Sequence, residues 1–449
     1  MADVVFASLR NRTYPYPYLG VGYLSAVLQQ RGIDVELVDG SVHDLDVAGI
    51  AERAARLGPA IVGVTAMSPG LRDAYVLVRL LRAKLPDATI VLGGSHVSAD
   101  PGAVAGMGLR YGFAGEAEAS FGSFCEHVLG GGEPPAELPG LVMDGRANPA
   151  APVAELDTLP FPTRLPLAHG GWHHVAHGGF ATVLASRGCP YDCAFCHHDR
   201  KMRSRSPENI VTEMERVHRD QGCTRFEFVD EVFTVHHDWV SRICGLLRER
   251  LPRVTWTCET RVNLVDQELL REMAASGCTG VAYGIESASN RVLQTLSKRQ
   301  RVDQCVRALT LSKEVGIDPG GFLMLGLPGE TEEDMLATIR FAHEVAKRVT
   351  FSRTLVLPRT PLFDSAVRAG KIEEDRWHRF MLGKAPLPYY VPDGMTERRM
   401  AWLYRRAVAG FHLRPERLAA LLRGVRGPSG ARVALQSLHY SFKVMREVH

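Results

Sequence analysis

Three cysteines stand together in the stretch CPYDCAFCHH: Cys189, Cys193 and Cys196, at the spacing C-x3-C-x2-C. Thiolates are soft metal ligands, and three on one short loop can hold a metal or cluster while leaving one coordination position free. Zinc is one candidate, because His197 and His198 follow at once as nitrogen donors. Zinc ribbons and fingers, however, pair two separated knuckles, and the sequence has no second one. Iron-sulfur clusters accept compact cysteine runs of this kind, and an iron lacking a fourth cysteine can bind substrate. The remaining cysteines, Cys125, Cys223, Cys244, Cys258, Cys278 and Cys305, are scattered through helix-like or strand-like runs. They read as small buried hydrophobes.

These residues sit in a chain of 449, long enough for two or three domains. A net charge of +3 provides no global basic field, so nucleic acid is not an expected partner. The opening MADVVFASLR lacks the basic start and apolar stretch of a signal peptide, and no apolar run is long enough to span a bilayer. A cytoplasmic protein without a membrane partner is expected.

The elements that must position the cysteines form two alternating series. From the first residue, short β-branched runs (DVVFASLR, IDVELVDG, AIVGVTAM, TIVLGG) alternate with helical ones, the pattern of a doubly wound, Rossmann-like α/β sheet. This domain is expected over residues 1–135, closing at the Gly/Pro stretch GGGEPP, with a linker over 136–180. In such sheets the ligand crevice lies at the carboxyl ends of the strands, here RNRTYPYPYLG, TAMSPG and GGSHVSADP. A second series over 181–365 contains six strand-helix units, two short of a closed barrel, and therefore predicts an open (β/α)6 partial barrel. Its first strand, ATVLASRGC, runs into the cysteine loop. Residues 366–449 are Arg-rich and helical, and are expected to form a small cap.

C-x3-C-x2-C on the loop after the first strand of such a barrel resembles the radical S-adenosylmethionine (radical SAM) superfamily, over residues 181–361. Phe195, before the third cysteine, also matches that family's motif. The resemblance implies a 4Fe-4S cluster on Cys189, Cys193 and Cys196, with SAM filling the open position and yielding a 5'-deoxyadenosyl radical after reduction. It further implies an external electron donor of flavodoxin or ferredoxin type. Asp230 and Glu231 end the second strand, where the family often has Gly-Gly-Glu; either carboxylate is a candidate for the SAM ammonium group. Arg261 is a candidate for the SAM carboxylate, Glu286 for the ribose, and the GLPGE turn at Gly326 for the adenine.

The N-terminal domain, with GVGYLSAVL, GGSH and GEAEASF, resembles the subclass that carries a cobalamin-binding domain. Most of that subclass methylate unactivated carbon or phosphorus, using methylcobalamin. Here Tyr14, Tyr16 and Tyr18, with Arg10 and Arg12, crowd the first strand end, which predicts a domain without bound cobalamin. Within the subclass the chain most resembles the diol-dehydratases of apramycin-type aminoglycoside biosynthesis. That implies hydrogen abstraction from a polar aminosugar followed by dehydration, with a partner reductase acting on the product. Glu227, Glu259 and Tyr283 are the catalytic candidates, alongside His197, His198 and Asp199. The alternative is a cobalamin-dependent C-methyltransferase.

Overall fold

A computed structural model describes residues 2–10, 18–165, 180–345 and 348–414. The chain divides into two compact units: Met1–Val175 with Leu357–Pro388, and Ala176–Val356 with Tyr389–His449.

The first unit is built on strands β1 (Val4–Ser8), β2 (Val35–Asp39), β3 (Ile61–Thr65), β4 (Thr89–Gly93) and β5 (Tyr111–Phe113). They run parallel in the order β2-β1-β3-β4-β5. β1 is buried at every position, as a strand covered on both faces must be, which is why it reads VVFAS without alternation. Phe6, Phe113, Phe121 and Phe124 pack at the core, Phe113 lying edge-on to Phe121 at 5.3 Å between ring centroids. The sheet extends past the expected boundary at residue 135: β6 (Leu141–Met143) pairs antiparallel with β5, and β7 (Arg146–Ala147) with β6. The turn between them places Asp144 at φ 50 and Gly145 at φ 76, an Asp-Gly hairpin signal inside the expected linker.

The expected cap over 366–449 is divided. Leu357–Pro388 belongs to the first unit, where its helices Pro361–Arg368 and Arg376–Met381 place Trp377 against His96, 5.3 Å between rings. The helix Glu397–His412 belongs to the second. Residues 415–449 lie outside the described residues.

The second unit carries a six-stranded sheet of β8 (Ala181–Val183), β11 (Arg225–Phe228), β12 (Thr255–Thr260), β13 (Cys278–Glu286), β14 (Asp318–Leu325) and β15 (Arg348–Arg353). The order is β15-β14-β13-β12-β11-β8 with every pair parallel, so each strand is added on the same side as the last, the partial-barrel arrangement the sequence predicts. Two short strands, β9 (Ser186–Arg187) and β10 (Arg203–Ser204), pair antiparallel across the ends of the cysteine loop. The crossover helices start and stop on local signals. Pro207–Gln221, for example, opens with Ser206 accepting from the Asn209 N–H and closes at Gly222 in the left-handed conformation. No helix among the described residues is long and apolar enough to cross a membrane.

Strand parity decides which side chains reach the interior of the barrel. Phe226, Phe228, Trp256, Cys258 and Tyr283 are buried on the helix side, where Trp256 donates to Ser276 O at 3.1 Å. Glu227, Thr257, Glu259, Ala282 and Gly284 alternate with them and face the other way, half-buried.

Candidate functional site

The cysteine loop is pinned at its base before it offers any thiol. Gly188 sits at φ 85, and a Cβ there would lie 2.5 Å from Lys201 O, so only glycine lets the two arms of the loop approach. Cys189 N–H then donates to Asp199 O at 2.9 Å. Within the loop Cys189 and Cys196 share one neighbour, although among the described residues no three ligating side chains are drawn close enough to enclose a metal ion. His198 hydrogen-bonds both Cys189 and Cys196, its Nδ1 lying 3.2 Å from Cys196 Sγ. Its Nε2 donates to Tyr191 O at 2.9 Å. The thiols of Cys189 and Cys196 beside it push the imidazole up to about 11, in favour of the cationic ring. Arg261 donates to Cys193 Sγ at 3.3 Å and lies 4.0 Å above the Tyr191 ring. Three sulfur donors bordered by two cations form a set suited to an iron-sulfur cluster carrying net negative charge.

Among the side chains expected to hold SAM, Asp230 is fully buried, and both of its oxygens are engaged by the bend between β8 and β9. It accepts from Ala185 N at 3.2 Å, from Ser186 N, and from Ser186 Oγ at 2.6 Å. It is a brace for the strand that leads into the cysteine loop, which leaves Glu231 as the accessible carboxylate of the pair. Glu231 is open to solvent but has enough protein around it that desolvation raises its carboxyl, with His198 acting in the opposite sense.

Arg261 is buried; besides Cys193 it donates to Lys298 O and, at 3.4 Å, to Asn263 Oδ1. The expected fork toward a carboxylate is thus directed at the loop itself. Glu286 is buried at φ 66, an uncommon conformation for a side chain of its size, and is held by Lys298 Nζ at 2.7 Å. Gly326 needs its freedom, since it lies at φ 86. The close approach it permits is with Met400 and Tyr390 O rather than with open space. Phe195 packs against Val292, Leu296 and Leu327, which anchors the loop to the β14 end of the barrel.

Three features carried no local sequence signal. Lys298 is made a partner of Glu286 only by the fold. Glu330, nearly fully buried, accepts from Gly326 N at 2.7 Å and Leu327 N at 2.9 Å, while its Oε1 has no hydrogen-bond partner. Burial pushes its carboxyl up to about 8. Arg203 and Arg205 are buried; Arg205 meets Glu213 at 2.5 Å and Arg203 meets Asp199 at 3.1 Å.

Of the catalytic candidates, Tyr283 is misassigned. It lies on the helix side of β13, fully buried, with its hydroxyl 2.8 Å from Ser312 Oγ, so it has no access to the interior face. Glu227 and Glu259 do face that side, close enough to influence one another. Desolvation, with Glu227 and Asp230 adding their charges, pushes Glu259 up to about 7. His197 and Asp199 flank the cysteine loop, Asp199 already paired with Arg203.

In the first unit, Arg10 pairs with Asp44 at 2.9 Å on the surface, and Tyr18 packs against the core beside Asp39. Arg12, Tyr14 and Tyr16 lie outside the described residues. Both described side chains are thus engaged by the protein itself, Arg10 at the surface and Tyr18 against the core. At the ends of β3 and β4, Ser68 Oγ meets His96 Nδ1 at 2.9 Å. The Nε2 of the fully buried His96 has no hydrogen-bond partner, and burial lowers the imidazole to about 4, keeping it neutral. This neutral histidine, covered by Trp377 and with Asp100 Oδ2 4.0 Å from its Nε2, places polar groups at the strand ends where a B12-type cofactor would be held.

A doubly wound parallel sheet and a partial barrel that presents three thiols stand together in this one chain. Residues 183–342 match the radical SAM superfamily and residues 7–124 the B12 binding domain. The chain is thus built from a B12-binding domain and a radical SAM domain. The second match overturns the expectation of a domain without cobalamin. Among its relatives is an uncharacterized methyltransferase of Pyrococcus horikoshii, 28% identical over 89% of this chain and 88% of that one. Another is the cytidylyl-2-hydroxyethylphosphonate methyltransferase of Streptomyces wedmorensis, 26% identical over 81% and 79%. The fold is shared over 99% of both chains with the radical SAM methyltransferase TsrM of Kitasatospora setae, solved with cobalamin and a [4Fe-4S] cluster bound, at a TM-score of 0.73 and 19% identity.

Proposed function

We propose that the protein is a cobalamin-dependent radical SAM methyltransferase acting on a polar small molecule. The observation that carries this reading is the pairing, in one chain, of a B12-binding sheet with a thiol-bearing partial barrel, with similarity over 88% and 79% of the length of two relatives named as methyltransferases. When bound, the reduced cluster supplies the electron that cleaves SAM, and cobalamin supplies a methyl carrier.

The chain's own residues have distinct tasks in this reading. Cys189, Cys193 and Cys196 hold the cluster, with Arg261 and His198 offsetting its negative charge. Asp230 fixes the strand that aims the loop. Glu231 takes the SAM ammonium group, because it is the carboxylate at this strand end left free by the brace. The turn from Gly326 to Glu330 borders the same end of the barrel. Ala282 keeps the interior face low, Gly284 admits the Lys298–Glu286 pair against its backbone, and Glu227 and Glu259 face the substrate space.

One observation favours a second reading, radical dehydration of a vicinal diol. Glu259 titrates near neutrality beside Glu227, and dehydration needs a group able to accept and return a proton there. The test offers aminosugars, phosphonates and other polar candidates to anaerobically reconstituted protein with cobalamin, reductant and SAM carrying a trideuterated methyl group. A product bearing the deuterated methyl is expected. A product lighter by one water, formed equally well without cobalamin, would replace this reading with the second.

A further inference from the structure

The helix Glu397–His412, ERRMAWLYRRAVAGFH, turns Met400, Leu403, Ala407, Val408 and Phe411 inward. Its outward face carries Arg398, Arg399, Trp402 and Arg406 at helical spacing, all exposed. Of the large hydrophobic side chains exposed among the described residues, Trp402 at 42% is the only aromatic. It is held between two cations, the guanidinium of Arg399 4.1 Å and that of Arg406 5.3 Å from its ring. The one acidic residue of the helix, Glu397, is bound by both terminal nitrogens of Arg353, at 2.6 and 2.7 Å. Glu332 binds Arg399 and also feels the charge of Arg406, so the face sets three arginines against one glutamate and stays positive.

The position of this face matters as much as its charge. Met400, on the inner side of the same helix, fills the space beside Gly326. The next residue, Leu327, shares an apolar cluster with Phe195 of the cysteine loop. The first turn of the helix therefore lies beside the turn that supports the cysteine loop, while its remainder runs along β15, where Tyr404 donates to Phe351 O at 3.2 Å.

We propose that the face formed by Arg398, Arg399, Trp402 and Arg406 is the docking surface for a small acidic electron-carrier protein. The proposal rests on the cluster reading given above, because that cluster must take one electron from outside. The step is the passage of one electron from the carrier's reduced flavin, which is oxidised, to the cluster, which is reduced; no group is transferred. Tryptophan and arginine are the residues that most often anchor protein interfaces, and a positive face recruits an acidic partner by raising its association rate. A membrane surface fits less well, since a single aromatic among arginines gives little apolar area to insert. Nucleic acid fits less well because the whole chain carries a net charge of only +3.

The test uses the full-length reconstituted protein and two donors, photoreduced flavodoxin and dithionite. The variants are Arg398→Glu with Arg406→Glu, the milder Arg398→Gln with Arg406→Gln, and Trp402→Ala, each checked for retained iron. With flavodoxin, the charge reversal should slow the appearance of the reduced-cluster EPR signal by about tenfold or more and Trp402→Ala several-fold, and the wild-type rate should fall with added salt. With dithionite, all variants should match the wild type. Wild-type rates with flavodoxin in every variant would overturn the proposal, as would loss of binding only to anionic vesicles or RNA. Wild-type protein that retains no iron after reconstitution would remove the cluster reading and this proposal with it, a result separate from the first.

Discussion

At the residue scale, Glu259 makes the reading sensitive to pH in a defined direction. Its carboxyl sits at about 7 in the folded chain, against an ordinary value of 4.5. Between those values the folded state holds a proton that the unfolded state has released. Stability is therefore highest below 4.5, falls as pH rises, and the loss is complete above 7. Glu259→Gln removes that loss: denaturant titration at pH 8 should show a gain of about 1–2 kcal/mol after allowing for partial solvent screening, shrinking to little near pH 4.5. A gain independent of pH would contradict the placement of this group. Replacing Cys189, Cys193 or Cys196 by Ala should each abolish 5'-deoxyadenosine formation and reduce bound iron; retention of full activity by any one would remove it from the ligand set. That Cys189, Cys193 and Cys196 share one loop was legible because their spacing is local in the sequence. Tyr283 was not, because one step of strand parity separates a barrel-facing side chain from one packed on Ser312.

At the element scale, the bend between β8 and β9 is the piece on which the loop depends. Asp230→Ala would leave the Ala185 and Ser186 N–H groups and the Ser186 hydroxyl buried without their acceptor. The expected cost is about 2–4 kcal/mol by chemical denaturation, together with a lower iron-to-protein ratio after reconstitution. A variant with normal iron content would show that the bend does not govern the loop. Breaking the buried pair with Lys298→Met should cost about 3–5 kcal/mol, since Glu286 is left charged and unpaired. The strands themselves could be read from β-branched runs between helical periods. β9 and β10, two residues each, are too short for a pattern, and the β6–β7 hairpin was hidden inside a stretch read as linker for its Gly and Pro content. Asp230 looked like a ligand because a carboxylate at a strand end has the same sequence signature whether it binds a cofactor or the neighbouring backbone.

At the scale of the whole molecule, two domains in the expected order were visible in the sequence, but the return of Leu357–Pro388 to the first unit was not. Its helical, Arg-rich character resembles that of the helix Glu397–His412, and only tertiary packing tells the two apart. Trp377, almost wholly buried against His96 and Phe380, ties this segment to the first unit. Trp377→Ala should therefore destabilise that unit by about 3–5 kcal/mol, seen as an early transition in calorimetry; an unchanged first transition would mean the segment is held by other contacts. The central claim is that one chain carries both a thiol-ligated cluster and a corrin. It is tested most directly by the metal content and visible spectrum of protein reconstituted anaerobically with iron, sulfide and cobalamin, then gel-filtered. The account predicts about four iron atoms and one corrin retained per chain. Full iron with no retained corrin would contradict it.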